Sequence, residues 1–270
     1  MAIHPTALID PGAELDSTVE VGAYAIIDGD TQIGADTRIY PHGSVQSGAR
    51  IGQRCQIHPF AIISGAPQDR SFDGSISYVK IDDDVIVREG VTINRGTEAE
   101  STTVLGKRCF LMANAHIGHN CQIGDDVTIA HATVFAGRVI VENRAFIGGM
   151  CGIHQFCRIG ELAMIAGGTL RVTQDVPPFM TCSPEGLTGP NTIGLKRAGF
   201  SADERLDIRE CYRTLFRSRH TLNHAIDLID QAVRTDPGRR LVAFLRAPRD
   251  RAITKAARRS PRKSSPSENT

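Results

Sequence analysis

Almost no net charge remains on this chain: 31 lysines and arginines are nearly cancelled by 30 aspartates and glutamates, leaving a formal charge of +1. Without general basic character there is no electrostatic footprint for nucleic acid. No apolar run approaches the length of a membrane span. A secretory leader is missing too, since the opening MAIHPTALID has no basic stretch followed by a long apolar one and already lies inside the first repeat. These absences predict a cytoplasmic protein that neither binds nucleic acid nor spans a membrane. The seven cysteines are odd in number, and in that compartment free thiols are expected rather than a disulfide framework. Charge of one sign gathers only near the end, at Lys255, Arg258, Arg259, Arg262 and Lys263, followed by Ser and Pro. A basic, disordered, solvated tail is expected over 251–270.

What is present is a period. Stepping by six from Ile3, the chain reads Ile9, Leu15, Val21, Ile27, Ile33, Ile39, Val45, Ile51, Ile57 and Ile63; it resumes at Ile81, Val87 and Ile93, and again from Leu105 to Ile165. Only Asp69, Ser75 and Ala99 interrupt it. A helix repeats at about 3.6 residues and a strand at about 2, so neither alone gives a strict six. Two residues before each aliphatic the side chain is nearly always small, as at Ala7, Thr37, Ala61, Ala115 and Thr133. Residues i and i−2 share one face of a strand. Each unit is therefore a short strand sending one large and one small side chain inward. Cys55, Cys109, Cys121, Cys151 and Cys157 occupy the small position and read as packing residues. Glycine often follows the aliphatic, as at Gly22, Gly52, Gly118 and Gly148, which suits a corner needing either unusual φ or close backbone approach. Three units make a triangular coil. About eight coils, stacked roughly 4.8 Å apart, give a left-handed parallel β-helix of hexapeptide repeats on the order of 40 Å tall.

Departures from the period mark the organisation. Two polar excursions, 64–80 and 97–103, should leave the prism as loops, and solenoid insertions usually gather on the binding face. After Val176-Pro177-Pro178 the regular coils end. Ser201 to Glu204 forms a capping box opening one helix, Thr221 opens a second, and Asp236-Pro237 starts a third. The expected domains are a β-helix over 1–186, a small α-helical domain over 187–250 and the tail. The flat walls of such a prism suit side-by-side packing into a homotrimer.

The densest chemistry lies in Asn114-Ala-His-Ile-Gly-His-Asn-Cys121. Ala115, Ile117 and Cys121 take inward positions, so His116 and His119 project outward. His119, Gly137 and Gln155 are spaced by eighteen residues, one full coil each, and belong to one column; His154 stands beside it. Outward histidines are ordinary surface residues when alone. Clustered, they supply a general base near neutral pH or ligands to a metal.

The runs Asn114 to His119, Gly148-Gly-Met150, His154-Gln-Phe-Cys157, Gln174-Asp-Val-Pro-Pro178 and Gly194-Leu-Lys-Arg197 with Gly199-Phe200 resemble the cytoplasmic UDP-N-acetylglucosamine O-acyltransferases that open lipid A biosynthesis. The likeness spans nearly the whole chain. It implies acyl transfer from acyl carrier protein to the glucosamine 3-hydroxyl, with no metal, no cofactor and no covalent intermediate. By the same resemblance His119 is the general base and the Gly137 N–H faces the developing oxyanion. Gln68 and Asp69 hold the sugar, and His116, His154 and Gln155 line the substrate. Asn191 meets the nucleotide and Arg197 a phosphate, while Gly167 sets the acyl-length limit and, lacking a side chain, admits a longer chain. The sequence departs from the family pattern at Ser71, where Lys is usual, Arg138 for His, Ile193 for Glu and Ala198 for a second Arg. Arg70 and Arg138 are candidates to replace the missing basic contacts. Two other classes stay open on the residues alone: a γ-carbonic-anhydrase-like hydratase using His116, His119 and His154 as metal ligands, and a non-catalytic scaffold.

Overall fold

The structure, a computed structural model, describes residues 2–168 and 171–257. Its strands are mostly two residues long and stack into three parallel sheets, the walls of a left-handed triangular prism. The first sheet begins with Ala2–Ile3, the second with Leu8–Ile9 and the third with Glu14–Leu15. The in-phase aliphatics from Val21 to Ile165 fill the interior, whereas Ile3, at the open end, stays 43% exposed. Sheet two has nine levels, one more than the period predicts, because Arg171–Val172 still adds a strand after the repeat fades.

Most small inward residues are buried with the aliphatics, and several bond across coils. The Thr133 hydroxyl donates to the Gly148 carbonyl at 2.7 Å, and the Cys121 thiol reaches the Ala136 carbonyl at 3.3 Å. All seven cysteines are buried and free. Burial pushes the Cys121 thiol up to about 12, which keeps it protonated and inert.

Of the two explanations for the corner glycines, close approach is the operative one. A Cβ on Gly118 would lie 2.7 Å from the Phe135 carbonyl oxygen. The left-handed conformation falls two residues later on whatever side chain is there, such as Tyr24 (φ 58), Asn120 (φ 60) or Met150 (φ 58). Asn tolerates that region better than most residues.

Strand register gives the size of the excursions. Gln56 pairs with Ile86, thirty residues on, and Ile86 with Phe110, twenty-four on. A plain coil takes eighteen, as between Phe110 and Thr128. Twelve and then six residues are thus extruded, the three hexads whose key positions are Asp69, Ser75 and Ala99. The first loop is shorter than expected, 66–77, because Ile62–Gly65 and Tyr78–Ile81 are strands, and the second is shifted to 95–101, between the strands Thr92–Asn94 and Thr102–Leu105.

The boundary expected at residue 187 falls inside a strand. Gly186–Pro190 turns back antiparallel on Met180–Ser183 and closes the first sheet. Four helices follow: α1 (Thr192–Arg197), α2 (Ala202–Arg217), α3 (Leu222–Ala232) and α4 (Asp236–Arg246). Their caps are Asn191, Ser201 with its full capping box, Thr221 and Thr235. The Arg158 guanidinium ties α4 to the third wall: it pairs with the fully buried Asp175 at 2.8 Å and donates to the Phe244 carbonyl at 3.2 Å.

The tail needs correction as well. Residues 251–257 are not a solvated end: Ile253 is buried, and bridges join Asp175 to Ile253 and Leu187 to Ala256. Arg258, Arg259, Arg262 and Lys263 lie outside the described residues. Among the described residues no helix is long and apolar enough to cross a membrane.

Candidate active site

Both loops and the His119 column share one prism edge, where the second wall turns into the third. His119 stands on the turn between His116–Ile117 and Gln122–Ile123. The next two coils place Gly137-Arg138 and Gln155-Phe156 above it, joined by Arg138 N–H to the His119 carbonyl at 2.8 Å and Phe156 N–H to the Gly137 carbonyl at 3.3 Å. Beside this column a cavity of 560 Å³ is lined by Gln68, Asp69, His116, His119, Gly137, His154 and Gln155. A larger groove, 680 Å³, runs between the third wall and α4 and contains none of these residues.

The protonation of His119 follows from its neighbour. Asn120 Oδ1 lies 2.8 Å from His119 Nδ1. The same oxygen accepts the Thr97 backbone N–H at 3.1 Å and the Thr97 hydroxyl at 2.9 Å, while Asn120 Nδ2 donates to Glu98 at 3.1 Å. A backbone N–H only donates, so the amide oxygen must face both Thr97 and His119. Nδ1 therefore carries the proton, and in the neutral ring Nε2 holds the free lone pair. That nitrogen lies 3.6 Å from Asp69 Oδ2.

Gly137 is bare for lack of room, not for its φ. A Cβ there would overlap Cε1 and Nε2 of the His119 ring. Its backbone N–H has no hydrogen-bond partner among the described residues, and the residue borders the cavity.

The surroundings are held in turn. Asp69 accepts the Ser71 N–H at 2.9 Å and the Ser71 hydroxyl at 2.7 Å, and these bonds hold its carboxyl below the usual range. Ser71, where the resembled family usually has Lys, thus braces the acid instead of adding a charge. Arg138 pairs with Glu98 and so joins the second loop to the column. His116 is half-buried with Nδ1 2.7 Å from the Thr92 hydroxyl; burial first, and the His119 charge second, depress its basicity.

Three expected residues lie elsewhere on the chain. Gly167 is at the edge between the first and second walls, against the Gly149 backbone. Asn191 and Arg197 sit at the edge between the third and first walls. There Asn191 caps α1 through Gly194 N–H at 3.0 Å and donates to the Leu162 carbonyl at 2.9 Å. Arg197 is exposed on α1.

Sequence reasoning passed over Asn120, Glu98 and Asn94. Asn94 is 5% exposed, borders the cavity and donates to the Ala66 carbonyl, while its Oδ1 finds no partner among the described residues. Asn120 adjoins His119 within the quoted run, but the run alone does not show that its amide is oriented by Thr97 and Glu98. Among the described residues no group of three or more His, Cys, Asp or Glu is placed to hold a metal ion.

Comparison with known proteins finds relatives that match most of the chain. A family model described as UDP N-acetylglucosamine O-acyltransferase, domain 2, matches 175–254, and the bacterial transferase hexapeptide model matches 102–137. An acyl-[acyl-carrier-protein]–UDP-N-acetylglucosamine O-acyltransferase of Syntrophobacter fumaroxidans is 44% identical over 239 residues, covering 87% of this chain and 92% of that protein. One from Thermodesulfovibrio yellowstonii is 45% identical over 231 residues, covering 84% and 89%. The structure of LpxA from Acinetobacter baumannii superposes with a TM-score of 0.90 at 35% identity, covering 94% of this chain and 99% of that one.

Proposed function

Because this chain belongs to the UDP-N-acetylglucosamine O-acyltransferase family, we propose that it moves an acyl group from acyl carrier protein to the 3-hydroxyl of UDP-N-acetylglucosamine, with His119 as general base. The observation that carries this reading is the His119 ring held with Nδ1 as donor to Asn120, its Nε2 packed against Gly137, whose N–H makes no hydrogen bond among the described residues.

Chemistry follows from that pairing. A neutral hydroxyl is a poor nucleophile, so Nε2 takes its proton as the oxygen attacks the thioester carbonyl. The new C–O bond pushes the carbonyl electrons onto oxygen, and the Gly137 N–H donates to that oxyanion. Collapse reforms the carbonyl and breaks the C–S bond; the imidazolium returns its proton to the departing thiolate. Between these events the charged ring is stabilised by Asp69 at 3.6 Å and by the Asn120 oxygen. No step uses a metal or a covalent enzyme intermediate.

Substrate contacts divide among the edges. Gln68 and Asp69 address the sugar, and His116, His154 and Gln155 line the reacting groups, while Arg138, paired with Glu98 outside the cavity lining, is left to reach the substrate from beside the column. The acyl chain runs across the second wall, past Val134 and the open Gly152, toward Gly167. Asn191 and Arg197, assigned to the nucleotide and its phosphate, stand on a different edge from His119. Both sets serve one substrate when a neighbouring copy brings its α1 edge against the His119 edge. That requirement supports the homotrimer, and makes each site a shared one.

The test is product mass. Incubated with UDP-N-acetylglucosamine and a panel of acyl carrier protein thioesters, the purified protein should yield an acylated nucleotide sugar and free carrier thiol. Failure with every chain length overturns the assignment.

A further inference from the structure

We infer that Arg251, on the segment that folds back after α4, is a positioning residue that sets the hydrogen-bonding face His154 presents to the acyl donor. The inference rests on the acyltransferase reading for its substrate, but not for its geometry. Residues 251–257 return to the prism as an edge strap. The Ala252 carbonyl accepts from Asp175 N–H at 2.8 Å, Thr254 N–H donates to Asp175 at 2.9 Å, and the Lys255 carbonyl accepts from Leu187 N–H at 2.9 Å. Ile253, 6% exposed, anchors it. The strap thereby delivers Arg251 to the turn one coil above Gly137.

Arg251 engages three consecutive residues there. Its Nη2 lies 2.8 Å from His154 Nδ1, its Nε donates to the Gln155 carbonyl at 3.0 Å, and its guanidinium stands 5.8 Å from the Phe156 ring centre. Guanidinium nitrogens only donate and keep their protons in proteins. His154 Nδ1 must then accept, which leaves Nε2–H as the ring's donor toward the cavity His154 lines. A competing arrangement is built into the same turn. Nδ1 also lies 3.3 Å from the Gln155 carbonyl; in the absence of Arg251 a proton on Nδ1 would bond there, turning Nε2 into an acceptor.

Position assigns the ligand group. The loop bearing Gln68 and Asp69 lies two coils below His119, and the thioester carbonyl belongs at Gly137. His154, one coil above, faces the remainder of the acyl donor, whose thiol-bearing arm offers amide carbonyl acceptors. An Nε2–H donor matches them and an Nε2 acceptor does not.

Histidine-selective ¹⁵N labelling of the full-length protein tests the geometry without substrate. His154, assigned by its loss in His154→Gln, should show unprotonated Nδ1 and protonated Nε2. Arg251→Met should shift it toward protonated Nδ1, and Arg251→Lys, which retains a donor, should restore much of the original state. In the transfer assay Arg251→Met should raise KM for the acyl donor about tenfold, with kcat and KM for the nucleotide sugar within about twofold. An unchanged His154 tautomer in Arg251→Met overturns the inference. So does a rise in KM for the nucleotide sugar alone. A tautomer that moves in a protein yielding no acylated product would instead leave the positioning role standing and remove the acyltransferase reading.

Discussion

Replacing His119 with alanine should lower kcat by about 10²–10⁴-fold, the usual worth of a general base, while KM for the nucleotide sugar changes little. Asn120 occupies Nδ1 of the ring and leaves Nε2 free for the hydroxyl proton. Asp69, 3.6 Å away, is too weak a base to replace it, since its bonds to Ser71 hold the carboxyl in its charged form. The fold should tolerate the change. His119 points away from a core built from Ile117 and Cys121, and the left-handed corner residue is Asn120. Steady-state kinetics with a thermal melt on each variant separates the two effects. A near-normal kcat would remove His119 from the mechanism.

Adding one methyl group at Gly137 should be nearly as damaging, for a different reason. The Cβ of Gly137→Ala would occupy the space of the His119 ring, so the imidazole must rotate away and its bond to Asn120 is lost. A fall in kcat on the order of 10²-fold is expected, in the range seen when one preorganised catalytic contact is removed. Because Gly137 has no left-handed φ to lose, stability should drop by much less than a core defect would cause. The diagnostic is coupling. With His119→Ala in place the clash disappears, and Gly137→Ala should then cost little further. Two residues that act as a unit are non-additive. Full additivity in the double variant would show that the glycine serves some purpose unrelated to the ring.

A six-residue period fixes which side chains face inward, so five cysteines could be placed in the core and His119, Gly137 and Gln155 in one outward column before any coordinates. The period offered two reasons for its corner glycines and no means to choose. Only the next coil's backbone, 2.7 Å from a Cβ on Gly118, decides between them. Asn120 was overlooked because its function depends on Thr97 and Glu98, which reach it from a loop with no periodicity. The strap at 251–257 was read as disordered for a related reason. It is held by single bridges and one buried isoleucine, too little to leave a pattern in a basic, polar stretch. Asn191 and Arg197 lie beyond the last regular coil, so the repeat's phase said nothing about which edge they occupy.

That separation of edges is the central claim of the mechanism: His119 and Arg197 from one chain do not serve one substrate, and neighbouring copies share each site. Mixing subunits tests it directly. His119→Ala and Arg197→Ala homo-oligomers should each be severely impaired. Co-expressed in equal amounts and assembled at random, they should give trimers in which roughly a quarter of all interfaces pair an intact His119 with an intact Arg197 in a cyclic arrangement. Transfer activity should then recover to about a quarter of the wild-type level. Mixed oligomers that stay as inactive as their parents would contradict the shared site and return both residues to a single chain.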